Sequence, residues 1–227
     1  MAEETPLGPQ ALPKPCPAAL GAFGVPARRW TTRADLYAQL EKGRECLETG
    51  GCSVTLAQAA EVVASPQIRN QATLGGNVSQ DTRCWYYRSG WSCYRAGGNI
   101  CYADTPTAIN REHAILGADR CVAVSPSDTA PALIALEASL VIRSTGGERV
   151  VAAEDYFVGP GIDITRMTGL RPGELLTAIR IPGTWANATF YFEKVRDRQV
   201  WDFPLVNVAS ALKADGGTIS AVRLAGG

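Results

Sequence analysis

Four thiols share one short stretch of the chain: Cys84, Cys93, Cys101 and Cys121, interleaved with Trp85, Tyr86, Tyr87, Trp91, Tyr94 and Tyr102. Four thiolates can fill the coordination of one iron–sulfur cluster, and an apolar, hydrogen-bonding shell sets the potential of such a cluster. Two plainer readings stand beside it. The first is zinc, although structural zinc sites usually carry close Cys-x-x-Cys pairs, which are absent; the second is thiols left free, or joined as disulfides, the latter needing an oxidising compartment. His113 is the chain's one histidine. With four cysteines in reach it reads as a packing or hydrogen-bonding residue rather than an iron ligand.

Just before this stretch the sequence runs Thr73-Leu74-Gly75-Gly76-Asn77. Gly75 and Gly76 lack a Cβ, so a turn there can enter positive φ and press its N–H groups against a bulky anionic group such as a pyrophosphate. A double glycine is more often a turn and nothing else. After the thiols comes Ser125-Pro126-Ser127-Asp128, where Asp128 can cap a helix or accept hydroxyls from a ligand. No Ser-His-Asp set and no histidine-rich site exists, so hydrolytic chemistry has nothing to be built from.

The elements that position these groups are legible in outline. Thr55 and Gln58 have the spacing of a capping box, and Leu56, Ala59, Ala60 and Val63 share a helical face, which predicts a helix reaching Ser65 and ended by Pro66. Ser127 or Asp128 begins a second helix through Leu136, with Pro131 tolerated in its first turn. Leu140-Val141-Ile142 and Arg149-Val150-Val151 flank Gly146-Gly147 as a hairpin. Strands follow at Glu174 to Ile181, Thr189 to Arg196, Leu205 to Lys213 and Thr218 to Leu224, giving an α+β unit with a mostly antiparallel sheet. Upstream, Thr31 to about Leu47 is helix-compatible and Gly50-Gly51 stops it, with Cys46 and Cys52 read as ordinary thiols.

At 227 residues the chain can build one large domain or two small ones. Lys plus Arg and Asp plus Glu both total 22, so no net field favours nucleic acid or an anionic membrane. No apolar run reaches the length of a membrane span, and no charged-then-apolar leader opens the sequence. Seven cysteines, an odd number, fit a reducing compartment or metal ligation. The expectation is a cytoplasmic protein, with export alongside a partner as the alternative. Residues 1–29 are proline-rich, with Pro6, Pro9, Pro13, Pro15, Pro17 and Pro26, and read as a flexible or extended tail.

The run Ser65-Pro66-Gln67-Ile68-Arg69-Asn70-Gln71-Ala72-Thr73-Leu74-Gly75-Gly76-Asn77 resembles the FAD-binding medium subunit of the xanthine dehydrogenase family of molybdenum hydroxylases. The likeness continues through Asp81-Thr82-Arg83-Cys84-Trp85-Tyr86-Tyr87, His113-Ala114-Ile115-Leu116-Gly117 and Ser125 to Leu133. It is similar in particular to the branch with a 4Fe-4S cluster, as in periplasmic aldehyde oxidoreductase and 4-hydroxybenzoyl-CoA reductase.

The resemblance implies the second lobe of a PCMH-type FAD-binding domain over residues 30–183, with the cysteine-rich insertion at about 81–122. Residues 184–227 would be the start of a domain like the C-terminal one of CO dehydrogenase flavoproteins. The family's first lobe carries a glycine loop of the form Ala-Gly-Gly-Thr-Asp-Leu, and nothing like it precedes Thr55. The expectation is therefore a chain without that lobe and without most of the C-terminal domain.

Carried onto this sequence, the resemblance puts Thr73, Gly75, Gly76 and Asn77 at the FAD pyrophosphate and ribityl region, and Asp128 on ribityl or ribose hydroxyls. Leu176 would pack by the isoalloxazine and Lys194 would lie near the flavin. Plainer readings are core for Leu176 and a solvated charge for Lys194. Cys84, Cys93, Cys101 and Cys121 would hold the 4Fe-4S cluster.

The implied function is electron transfer, from 2Fe-2S clusters on a small subunit to an external acceptor, beside a large subunit with a molybdenum cofactor. A flavin-free iron–sulfur module is one alternative. A structural partner-binding domain with zinc or free thiols is another.

Overall fold

The computed structural model describes residues 54–227. The proline-rich start, the helix expected from Thr31, Gly50-Gly51 and the thiols Cys16, Cys46 and Cys52 lie outside the described residues, as does the Thr55 side chain.

Helix α1 spans Val54–Glu61. It stops four residues before the expected Ser65, and Ala64 turns the chain with a left-handed φ of 44°. Pro66 opens the next helix instead of closing this one. Its fixed φ and missing N–H suit a first helical position, and Ser65 caps α2, Pro66–Arg69, through its Oγ.

Helix α3, Leu74–Val78, then takes in the double glycine. Gly75 and Gly76 are therefore helical, and neither has the positive φ the sequence allowed. Thr73 is the reason: its Oγ1 accepts the Gly76 N–H at 3.0 Å, so the backbone there is committed to a capped helix.

The insertion is mostly turns. It holds α4, Trp85–Arg88, and a 3-10 turn, Tyr94–Ala96. Three rings brace it, with centroids 5.2 Å apart for Tyr86 and Trp91, 4.7 Å for Trp91 and Tyr102, and 6.0 Å for Tyr86 and Tyr102. Edge-to-face rings at such distances add about 0.5–1.5 kcal/mol beyond their burial.

Helix α5, Ala130–Ala135, is shorter than the Ser127–Leu136 expected, and no side chain caps it. Ser127 and Thr129 turn their hydroxyls to the Asn77 amide instead, at 2.8 and 2.7 Å.

Strands β1, Ser139–Ser144, and β2, Gly147–Ala152, form the expected hairpin, and β3, Leu175–Arg180, pairs with the other side of β1. A one-turn helix α6, Ala153–Tyr156, follows β2. Strands β4, Thr189–Val195, β5, Val206–Asp215, and β6, Thr218–Gly226, make a second antiparallel sheet in the order β4-β5-β6. The expected division at residues 183 and 184 falls between the two sheets.

Helix α5 packs between them. One side joins Leu133 to Val78, Leu140, Ile142 and Tyr156 in the core of the first sheet. The other brings Ala132 and Ala135 against Ala59, Ala209 and Ala225, where only small side chains let helix and sheet approach closely.

Candidate functional site

Beside α3 lies a cleft of about 440 Å³, lined among others by Thr73, Gly76, Asn77, Gln80, Arg83, Asp128, Trp201 and Phe203. The structure thus brings four of the sequence-selected residues, Thr73, Gly76, Asn77 and Asp128, onto one wall. Gly76 presents a bare Cα there. A Cβ at that position would stand 3.1 Å from the capping Oγ1 of Thr73, tighter than an ordinary contact. Asn77 spends its amide oxygen on Ser127 and Thr129, leaving its NH₂ group as the donor for a ligand.

Gly75 and Leu176 are on the other face of α3. A Cβ on Gly75 would touch Leu176 Cδ2 at 3.8 Å, and Leu176 packs against the core of the first sheet. Leu176 itself is half-buried.

Lys194 is not a solvated charge. Its side chain is 2% exposed, and its Nζ donates to Asp128 Oδ2 at 2.9 Å, to the Asp202 carbonyl at 2.7 Å and to the Val62 carbonyl at 3.1 Å. It stands behind the cleft wall and ties three chain segments to Asp128. Burial pushes the Asp128 carboxyl above the ordinary aspartate range, and the Lys194 ammonium draws it part of the way back. The other carboxylate oxygen, Oδ1, is buried and has no hydrogen-bond partner in the protein. A buried acceptor left in this state costs about 1–3 kcal/mol.

Three features of this cleft escaped the sequence reading. The N–H of Trp201 donates to the Ala64 carbonyl at 2.7 Å, and both residues hold left-handed φ, 56° and 44°, at the rim. Non-glycine residues with such φ store strain that concentrates at ligand sites. Phe203 lies under the Arg83 guanidinium at 5.7 Å from the ring centroid. An aromatic-rich, charged run such as Arg198–Phe203 was the available signal.

The four thiols of the insertion line a second, narrow recess together with Tyr86, Tyr87, Tyr94, Tyr102, Arg95 and Arg120. All four are unbridged; Cys93 and Cys121 are buried, Cys84 and Cys101 half-buried. Burial raises the Cys121 thiol above its ordinary range. Among the described residues no group of three or more His, Cys, Asp or Glu is set to hold a single metal ion. A cluster spreads its thiolates over four irons, so that spacing does not decide against one. The free space between the thiols is only about 10 Å³. Taking up a cluster would require them to part. By donor type and number the residues fit an iron–sulfur group. His113 does not line the recess, and both its ring nitrogens are buried without partners.

Residues 30–184 match a family described as FAD binding domain in molybdopterin dehydrogenase. The aldehyde oxidoreductase FAD-binding subunit PaoB of Escherichia coli (strain K12) is 38% identical over 165 residues, covering 71% of this chain and 51% of that one. A carbon monoxide dehydrogenase medium chain of Afipia carboxidovorans is 37% identical over 163 residues, covering 71% and 40%. The solved carbon monoxide dehydrogenase of Hydrogenophaga pseudoflava superposes with a TM-score of 0.51 at 25% identity, over 76% of this chain and 43% of that one. The chain spans about half the length, or less, of these relatives. With more than half of its residues inside the family match, it belongs to the family of FAD-binding domains of molybdopterin dehydrogenases.

Proposed function

We propose that this chain is the FAD-binding electron-transfer subunit of a molybdenum hydroxylase complex of the aldehyde oxidoreductase or xanthine dehydrogenase type, with a 4Fe-4S cluster on Cys84, Cys93, Cys101 and Cys121. Its partners are a large subunit with the molybdenum cofactor and a small subunit with 2Fe-2S clusters, and electrons pass through it to an external acceptor. When bound, FAD supplies a carrier that accepts electrons singly and yields them in pairs, and an iron–sulfur cluster supplies a one-electron relay.

The observation that carries the FAD reading is Asp128 in the lining of the 440 Å³ cleft beside Thr73, Gly76 and Asn77, with its Oδ1 buried and lacking a hydrogen-bond partner in the protein. Asp128 accepts a ligand hydroxyl, and Lys194 fixes the carboxylate that does so. Gly76 keeps side-chain bulk out of the cleft, and the Asn77 amide, oriented by Ser127 and Thr129, donates to the ligand. Four thiols on one recess, two of them buried, support the cluster.

A flavin-free iron–sulfur module is the second reading. It is favoured by Gly75 and Leu176 facing the core of the first sheet and not the cleft. Acid precipitation of the purified chain separates the two. FAD in the supernatant, in an amount close to that of the chain, is the expected result. Iron without released flavin would overturn the first reading in favour of the second.

A further inference from the structure

We infer that Arg95 sets the reduction potential of the group held by Cys84, Cys93, Cys101 and Cys121. The inference rests on the four-thiol cluster proposed above.

Arg95 is a charged residue with only 6% of its surface exposed, and it lines the recess of the thiols two positions after Cys93. Its guanidinium is held on three sides. One terminal nitrogen pairs with Asp81 Oδ1 at 2.6 Å, the other donates to the Ile164 carbonyl at 3.1 Å, and the plane lies 5.1 Å from the centroid of the Tyr87 ring. The remaining nitrogen, Nε, is buried and has no acceptor in the protein. Buried donors are rarely left so, and at this place the missing acceptor has a chemical class: a thiolate or sulfide sulfur in the recess.

The charge acts in the same direction as the hydrogen bond. Reduction adds one electron to an already anionic cluster. A fixed cation in a poorly screened interior therefore favours the reduced form and makes the potential less negative. Arg120 also lines the recess, but it is exposed and its field is screened by water. Asp81 opposes Arg95. Its carboxylate is 41% exposed, so it offsets only part of the guanidinium charge.

A purely structural Arg95, tying the insertion to Ile164, would change stability and leave the potential alone. The two roles separate in a dithionite titration of the purified complex, followed on the electron paramagnetic resonance signal that Cys93→Ser removes. Arg95→Gln is expected to make the midpoint more negative. Asp81→Asn keeps an acceptor oxygen but loses the opposing charge, and is expected to make it less negative.

Iron analysis of the unaltered chain comes first. No iron would overturn the four-thiol reading and this inference with it. Iron present with both variants at the unaltered midpoint would overturn this inference alone. Should Arg95→Gln lose its iron, Asp81→Asn decides by itself, and an unchanged or more negative midpoint counts against Arg95.

Discussion

Asp128 carries two demands that pull against each other. Burial works against its charge and raises its pKa, yet it is also the counter-charge to a lysine with 2% of its side chain exposed. Removing one member of a buried ion pair leaves the other uncompensated, at a cost of about 3 kcal/mol or more. Asp128→Asn is therefore expected to lose about 3 kcal/mol in urea unfolding and to lower FAD content. Unaltered stability would show that the Val62 and Asp202 carbonyls suffice for Lys194.

Gly76 makes a different point. The sequence marked it for the right reason, the missing Cβ, but tied that to positive φ, whereas the residue is helical and capped by Thr73. What the position needs is space. Gly76→Val puts a branched side chain beside Thr73 Oγ1 and into the cleft, and is expected to reduce bound FAD while iron stays. Unchanged flavin would remove α3 from the site.

Among the elements, strands were legible and helix ends were not. In β4 the alternation Phe190, Phe192, Lys194 points one way, so the period of two already placed Lys194 on the face of the half-buried aromatics. Reading it as a solvated charge set its chemistry above its phase. The short helices were misjudged because capping hydroxyls compete locally. Ser65 made Pro66 a beginning, and Asn77 drew Ser127 and Thr129 away from α5.

The bidentate pair of Arg149 with Glu174, at 2.8 and 2.6 Å, ties β2 to the turn before β3. The hydrogen bond from Arg149 holds the Glu174 carboxyl down to about 2, against an ordinary 4.5. A pKa depressed in the folded state gives stability that is present above the unfolded value and is lost as pH falls through the folded one. Glu174→Gln is thus expected to lower the urea midpoint at pH 7, and the difference from the unaltered chain should shrink steadily below about pH 4. A difference independent of pH would assign the effect to shape, not charge.

For the whole molecule, the sequence carried the α+β class, the antiparallel strands and the grouping of thiols with aromatic rings. It did not carry the contacts that dock the insertion. Arg95 to Asp81 and Ile164, and Arg111 to Asp197 at 2.6 Å, join residues far apart in the chain and leave no periodic trace. The same holds for the alanine contact of α5 with the second sheet, where each residue alone looks unremarkable.

Both candidate sites adjoin one stretch of chain, since α3 leads into the thiol insertion and Asp128 follows it. The central claim is that this stretch serves two redox groups in one chain. Iron, acid-labile sulfide and FAD measured on one anaerobic preparation test it most directly. The account expects iron and sulfide in equal amounts, about four of each per chain, together with FAD, and loss of the iron but not the flavin in Cys93→Ser. A colourless chain with neither iron nor flavin, or one holding a single zinc, would contradict it.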